Sequence, residues 1–113
     1  MESKELMNTA VKILEDKKAV RIESFYVEKK TILADYYIVC SGTSNIHIKA
    51  LADEVETGLE KQDVQLLHKE GLETARWVLL DYGTVVIHIM HEIDREYYDL
   101  ETLFSKGHES LRR

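Results

Sequence analysis

Apolar side chains recur at helical spacing along the first stretch of the chain. Leu6, Ala10, Ile13 and Leu14 form one stripe from Ser3 to Lys18, widened by Met7 and Val11. Ser3 is the expected N-cap, Glu5 suits the positive helix start, and Lys17 and Lys18 suit its negative end. The pattern then changes. Val20 to Val27 is rich in β-branched and aromatic residues and predicts a strand. Glu28 to Thr31 reads as a turn. Tyr36 to Cys40 is a continuous apolar run of strand length, which predicts a central strand buried on both faces. Ser41-Gly42-Thr43-Ser44-Asn45 follows, five residues that favour turns and caps. Ile48, Leu51, Ala52, Val55 and Leu59 then share one face of a second helix that runs to about Lys61. Gly58 inside it costs about 1 kcal/mol against alanine, so the last turn is expected to fray.

Val64 to His68 is a short strand candidate. Ala75 to Leu80 and Thr84 to Met90 are two stronger strands around Asp81-Tyr82-Gly83. A final helix is expected from about Asp94 to Phe104, with Ile93, Tyr97, Leu100 and Phe104 as its core stripe and Tyr98 on the wetter side. The element order predicts an α/β fold: a single mixed β-sheet with helices mainly on one face. No proline, repeat or low-complexity run marks a linker. Residues 1–104 therefore read as one domain and 105–113 as a flexible C-terminal tail.

The hairpin fixes which side chains share a face. With Tyr82-Gly83 as a two-residue turn, Leu80 meets Val85, Val78 meets Ile87 and Arg76 meets Ile89 on the face beneath the helices. The opposite face carries Leu79 with Val86, Trp77 with His88 and Ala75 with Met90. Two readings of that second face stand side by side: an apolar interaction patch centred on the sole tryptophan, or a second core layer.

Composition narrows the classes of function. The 113 residues are 44% hydrophobic and 32% charged, which suits one soluble globular domain. No apolar run nears the ~20 residues of a membrane helix, and the charged N-terminus does not read as a secretory signal. A single cysteine, Cys40, allows no internal disulfide. A cytoplasmic location is the expectation. Fifteen basic against 21 acidic residues give a formal net charge of −6. Such a chain is a poor general binder of phosphate backbones and favours a basic protein partner. Sequence-specific nucleic-acid binding and membrane association are not expected.

Motifs for chemistry are weak. The Ser41-Gly42 turn between strand and helix could hold a phosphate, yet it lacks the lysine and spacing of a phosphate-binding loop. No predicted strand carries the paired carboxylates that a nucleotide-transferring metal site needs. His91-Glu92-Ile93-Asp94-Arg95 has Arg95 where a zinc motif needs its second histidine. His88 and His91 fall on opposite faces of a strand. Cys40, on a buried run, reads as a small hydrophobe. Catalytic residues, metal and cofactors are therefore expected to be none.

Longer blocks are more specific. They are Ala34-Asp35-Tyr36-Tyr37-Ile38-Val39-Cys40-Ser41-Gly42-Thr43-Ser44, then His47 and Ala50-Leu51-Ala52-Asp53. Glu70-Gly71 precedes Trp77-Val78-Leu79-Leu80-Asp81-Tyr82-Gly83 and Val85-Val86-Ile87-His88, and Arg95-Glu96-Tyr97-Tyr98-Asp99-Leu100-Glu101 follows. Over nearly the whole chain this resembles the ribosomal silencing factor family, also called Iojap or RsfS. Thr84 and Phe104 depart from the family's frequent acidic residue and tryptophan. The resemblance implies a nucleotidyltransferase-like fold without catalytic carboxylates. It implies docking on the large ribosomal subunit through ribosomal protein L-fourteen, blocking of subunit joining, repression of translation, and a part in late subunit maturation. Under it, the expected partner-binding residues are Trp77, Leu79, Asp81, His88 and Met90, with Tyr97 and Tyr98 at the rim. The alternatives are a nucleotidyltransferase-related enzyme using the Ser41-Gly42 turn, and a homodimer through a self-complementary Trp77 face.

Overall fold

The computed structural model describes residues 1–26 and 34–98, the side chains of 96–98 excepted. In chain order the elements are α1 (Ser3–Asp16), β1 (Val20–Tyr26), β2 (Tyr36–Gly42), α2 (Asn45–Glu60), β3 (His68–Glu70), β4 (Trp77–Asp81), β5 (Val85–His91) and α3 (Glu92–Tyr98). Val27, the turn over 28–31, the helix beyond Tyr98 and the tail over 105–113 lie outside the described residues.

The strands form one open sheet in the order β1-β2-β5-β4-β3. Only β2 and β5 are parallel; the other three pairings are antiparallel. Helices α1 and α2 pack against each other and cover one face. Their stripes of Leu6, Ala10 and Leu14, and of Ile48, Leu51, Val55 and Leu59, are buried over Ile38, Cys40, Val78, Leu80, Ile87 and Ile89. Period 3.6 meets period 2 here, and one continuous core results.

The expected fold, a single mixed β-sheet with helices mainly on one face and a nucleotidyltransferase-like topology, is corrected. The sheet is open, its strand order is the one given above, and nothing in that topology marks a nucleotidyltransferase. The third helix lies against the other face. α3 packs on β5 and β2. Its Arg95 is 1% exposed and donates to Ser41 Oγ at 3.2 Å, from the β2 alternation set of Tyr37, Val39 and Ser41. The apolar run of β2 explains this, because a strand apolar on both sides needs cover on both. The core stripe through Ile93 is corrected with it: Ile93 is 68% exposed, since α3 starts directly after β5 with Arg95 turned inward.

Local chemistry accounts for the other shifts of boundary. Ser3 lies inside α1 and Glu2 occupies the N-cap without a side-chain bond. Lys18, with φ +66°, closes α1 as Ala19 N–H returns to Leu14 O at 2.9 Å and Lys18 N–H to Glu15 O at 3.0 Å. Gly58 does not end α2 early. A Cβ there would stand 2.6 Å from Ile13 Cδ1, so the glycine marks where α2 meets α1. Val64 donates to Leu59 O at the end of α2, which leaves β3 to begin at His68. Ala75 is held in a turn by its bond to Gly71 O, so β4 begins at Trp77.

The hairpin register is two residues away from the expected one. Asp81 Oδ1 accepts from Gly83 N–H at 2.8 Å, Gly83 has φ +89°, and Tyr82 N–H closes the loop on Val85 O. Gly83-Thr84 is thus the connection. Leu80 pairs with Ile87, Leu79 with His88 and Trp77 with Met90. A shift of two leaves the side chains of β4 and β5 on their expected faces. Ala75, expected beside Met90, instead precedes β4 and is buried in the core under α1 and α2, and Arg76, expected beneath the helices, pairs with Asp94 of α3.

Candidate protein-docking face

The face of the sheet away from α1 and α2 is built from alternate residues of five strands. β1 supplies Phe25 and β2 supplies Tyr37, Val39 and Ser41. Opposite them β5 supplies Val86, His88 and Met90. β4 adds Trp77, Leu79 and Asp81, and β3 adds His68 and Glu70. Burial grades across this face. Tyr37, Val39 and Met90 form a small buried cluster with Ala34, and Phe25, Trp77 and Val86 pack against it half-buried. The face is therefore divided by burial. Its middle is a second core layer, and its β4 side is an aromatic and aliphatic strip open to solvent.

Trp77, Leu79 and Asp81 lie on that open side, each partly exposed. Met90, the ladder partner of Trp77, is fully buried, and His88 is 8% exposed. The indole Nε1–H of Trp77 donates to His88 Nδ1 at 3.0 Å, diagonally across the β4–β5 ladder. His88 also meets the ring of Tyr37 edge-on, with centroids 6.1 Å apart. Burial holds the His88 pKa down to about 4, so the ring is neutral at pH 7 and its lone pair is available to the indole. Asp81 turns its carboxylate to Gly83 N–H, and His68 Nε2 lies 2.6 Å from Glu70 Oε2, which gives the strip a polar rim. Tyr97 and Tyr98 lie on α3 by their backbone, and their side chains are outside the described residues.

Sequence reasoning missed Tyr37 and Phe25 on this face. The alternation within YYIVC carried the signal for Tyr37, but the β2–β5 register that joins it to His88 is long-range.

The Ser41-Gly42 turn is occupied by its own structure. Thr43 N–H donates to His47 Nδ1 at 3.0 Å, and His47 N–H to Ser44 Oγ at 3.0 Å. His47 Nε2 reaches Lys17 O at 3.2 Å, tying the turn to the end of α1. A Cβ on Gly42 would stand 2.7 Å from Ile48 Cγ1, so this glycine serves the packing of α2 on β2. The amides of Thr43 and His47, which could otherwise face a phosphate, are thus engaged within the protein. Cys40 is fully buried and its thiol is pushed up to about 12 by burial, which keeps it protonated. Among the described residues no group of three His, Cys, Asp or Glu side chains is placed to hold a metal ion.

Comparison with known proteins gives this geometry a family. The model of the family described as "Ribosomal silencing factor during starvation" matches residues 1–112. The ribosomal silencing factor RsfS of Halalkalibacterium halodurans is 36% identical over 104 residues, covering 92% of this chain and 89% of that protein. A crystal structure of a Chromobacterium violaceum protein superposes with a TM-score of 0.89 at 40% identity, covering 95% of this chain and 88% of the other. A mouse protein named for mitochondrial assembly of the ribosomal large subunit is 30% identical over 98 residues, which is 84% of this chain and 43% of that protein. The open sheet is thus the family's own fold, and the chain belongs to the ribosomal silencing factor family.

Proposed function

We propose that this protein silences ribosomes by seating the Trp77 strip of its sheet on the large ribosomal subunit, through ribosomal protein L-fourteen, and so blocking subunit joining. The observation that carries the reading is the strip itself. Trp77 and Leu79 lie half-buried on a sheet face that α1 and α2 leave uncovered, beside a buried cluster of Met90, Val39 and Tyr37. Aromatic anchors on a rigid support are how protein interfaces concentrate their affinity.

Charge supports a protein partner over RNA. The chain carries −6, with Asp81 and Glu70 at the rim of the strip. A basic ribosomal protein attracts such a surface while neighbouring phosphates repel it. In this reading Trp77, Leu79 and Asp81 touch the partner, and the buried His88 and Met90 support them from the neighbouring strand. The mouse relative's name supports a second role in maturation of the large subunit.

The test is site-specific crosslinking. A photoreactive amino acid at position 79 is expected to capture ribosomal protein L-fourteen when purified large subunits are added. Added before small subunits, the unmodified protein is expected to lower the yield of joined particles. Capture of ribosomal RNA alone, or undiminished joining at saturating protein, would contradict the proposal.

A further inference from the structure

We propose that His88 is a positioning residue, which sets the pose of Trp77 for docking without itself touching the partner. The inference rests on the Trp77 reading above and adds the device that makes the strip work. A tryptophan on an open sheet face has several rotamers available, and freezing them on binding weakens association. Here the indole is tied before any partner arrives. Its Nε1–H donates to His88 Nδ1 at 3.0 Å, and the two rings lie 6.0 Å apart and tilted by 57°. His88 is itself fixed: it is 8% exposed, faces Leu79 across the ladder, sits beside Val39 on β2, and meets Tyr37 edge-on.

Two consequences follow from the donor direction. Nδ1 must be the unprotonated nitrogen, so the neutral ring carries its proton on Nε2. The one polar atom of the indole is also used inside the protein. What Trp77 offers outward is hydrocarbon ring, fit for an apolar contact or for the stem and charge of a lysine or arginine stacked on it. Recognition of Trp77 by a hydrogen bond to its N–H is excluded in this pose.

Two variants separate positioning from mere filling of space. His88→Leu keeps bulk and removes the acceptor. His88→Asn keeps an acceptor oxygen near the position of Nδ1. The chain has one tryptophan, so one indole N–H signal appears in a proton–nitrogen NMR spectrum and reports the bond through its exchange with water. Slow exchange is expected in the wild type and in His88→Asn, and fast exchange in His88→Leu. Sedimentation with purified large subunits should show His88→Leu weakened by about fivefold and His88→Asn within twofold of wild type. Fast indole exchange in the folded wild type overturns the proposal, whatever the variants do. So does wild-type affinity in His88→Leu, or an equal loss in both variants. Failure of the docking face itself reads differently: Trp77→Ala would then bind as wild type, while the indole signal of the unsubstituted protein still exchanged slowly.

Discussion

Single residues divide here into those whose chemistry is turned inward and those left for a partner. His88 is the clearest of the first kind. Its pKa in the folded chain is about 4, against an ordinary 6.5 for an exposed histidine. The unfolded chain therefore binds the proton more readily, and stability must fall as pH drops through the window from 6.5 to 4. The full loss is about 3 kcal/mol, present below 4 and absent above 6.5. Denaturant titrations across that window should show the decline in the wild type and a flatter profile in His88→Asn. Equal slopes in both would assign the acid sensitivity to other groups. Residue types were legible in the sequence where one physical role dominates: Cys40 as a core hydrophobe, Ser44 as a helix cap. They were less legible where the role depends on a distant contact. His47 looks like any surface histidine until the end of α1 arrives beside it.

At the scale of elements, periodicity located α1, α2, β1, β2, β4 and β5 to within a few residues, because each has one buried stripe or one apolar run. Errors arose where backbone hydrogen bonds at a terminus compete with pattern. Val64 belongs to the cap of α2 and Ala75 to a turn, so both adjoining strands start later than their apolar residues suggest. The rotation of α3 was not legible, since it is set by the bond of Arg95 to a serine on β2. Gly58 shows the same limit and can be tested. Its Cβ position is blocked by the Cδ1 atom of Ile13 at 2.6 Å, the far end of a flexible side chain. Gly58→Ala alone should change stability little, because the helix gain of about 1 kcal/mol is offset by displacing Ile13. In an Ile13→Val background the same substitution should raise stability by about 1 kcal/mol. A destabilisation in that background would show that the helices themselves, and not one methyl group, are too close.

For the whole molecule, an acidic open-sheet protein presents one anchored aromatic strip with carboxylates at its rim. The strip was legible from the hairpin because a register error of two conserves faces. Its division into a buried middle and an open side was not, since that depends on where α3 and β2 lie. Electrostatics makes a prediction at this scale. Asp81 braces the hairpin through Gly83, so its reversal would mix folding with binding. Glu70 is exposed on the same face and is the cleaner probe. Glu70→Lys should slow association with large subunits several-fold at low salt, with the difference shrinking at high salt as screening shortens the range of charge. An unchanged or faster association would place the basic partner elsewhere.

The central claim is that Trp77 on the open side of the sheet carries the docking on the ribosome. Truncating a buried interface aromatic commonly costs about 2 kcal/mol or more, or roughly thirtyfold in affinity. The direct measurement is sedimentation of Trp77→Ala with purified large subunits, alongside its thermal melt to confirm that the variant is folded. The account predicts a folded variant that stays in the supernatant at concentrations where the wild type pellets with subunits. A folded variant that binds with wild-type affinity would contradict it.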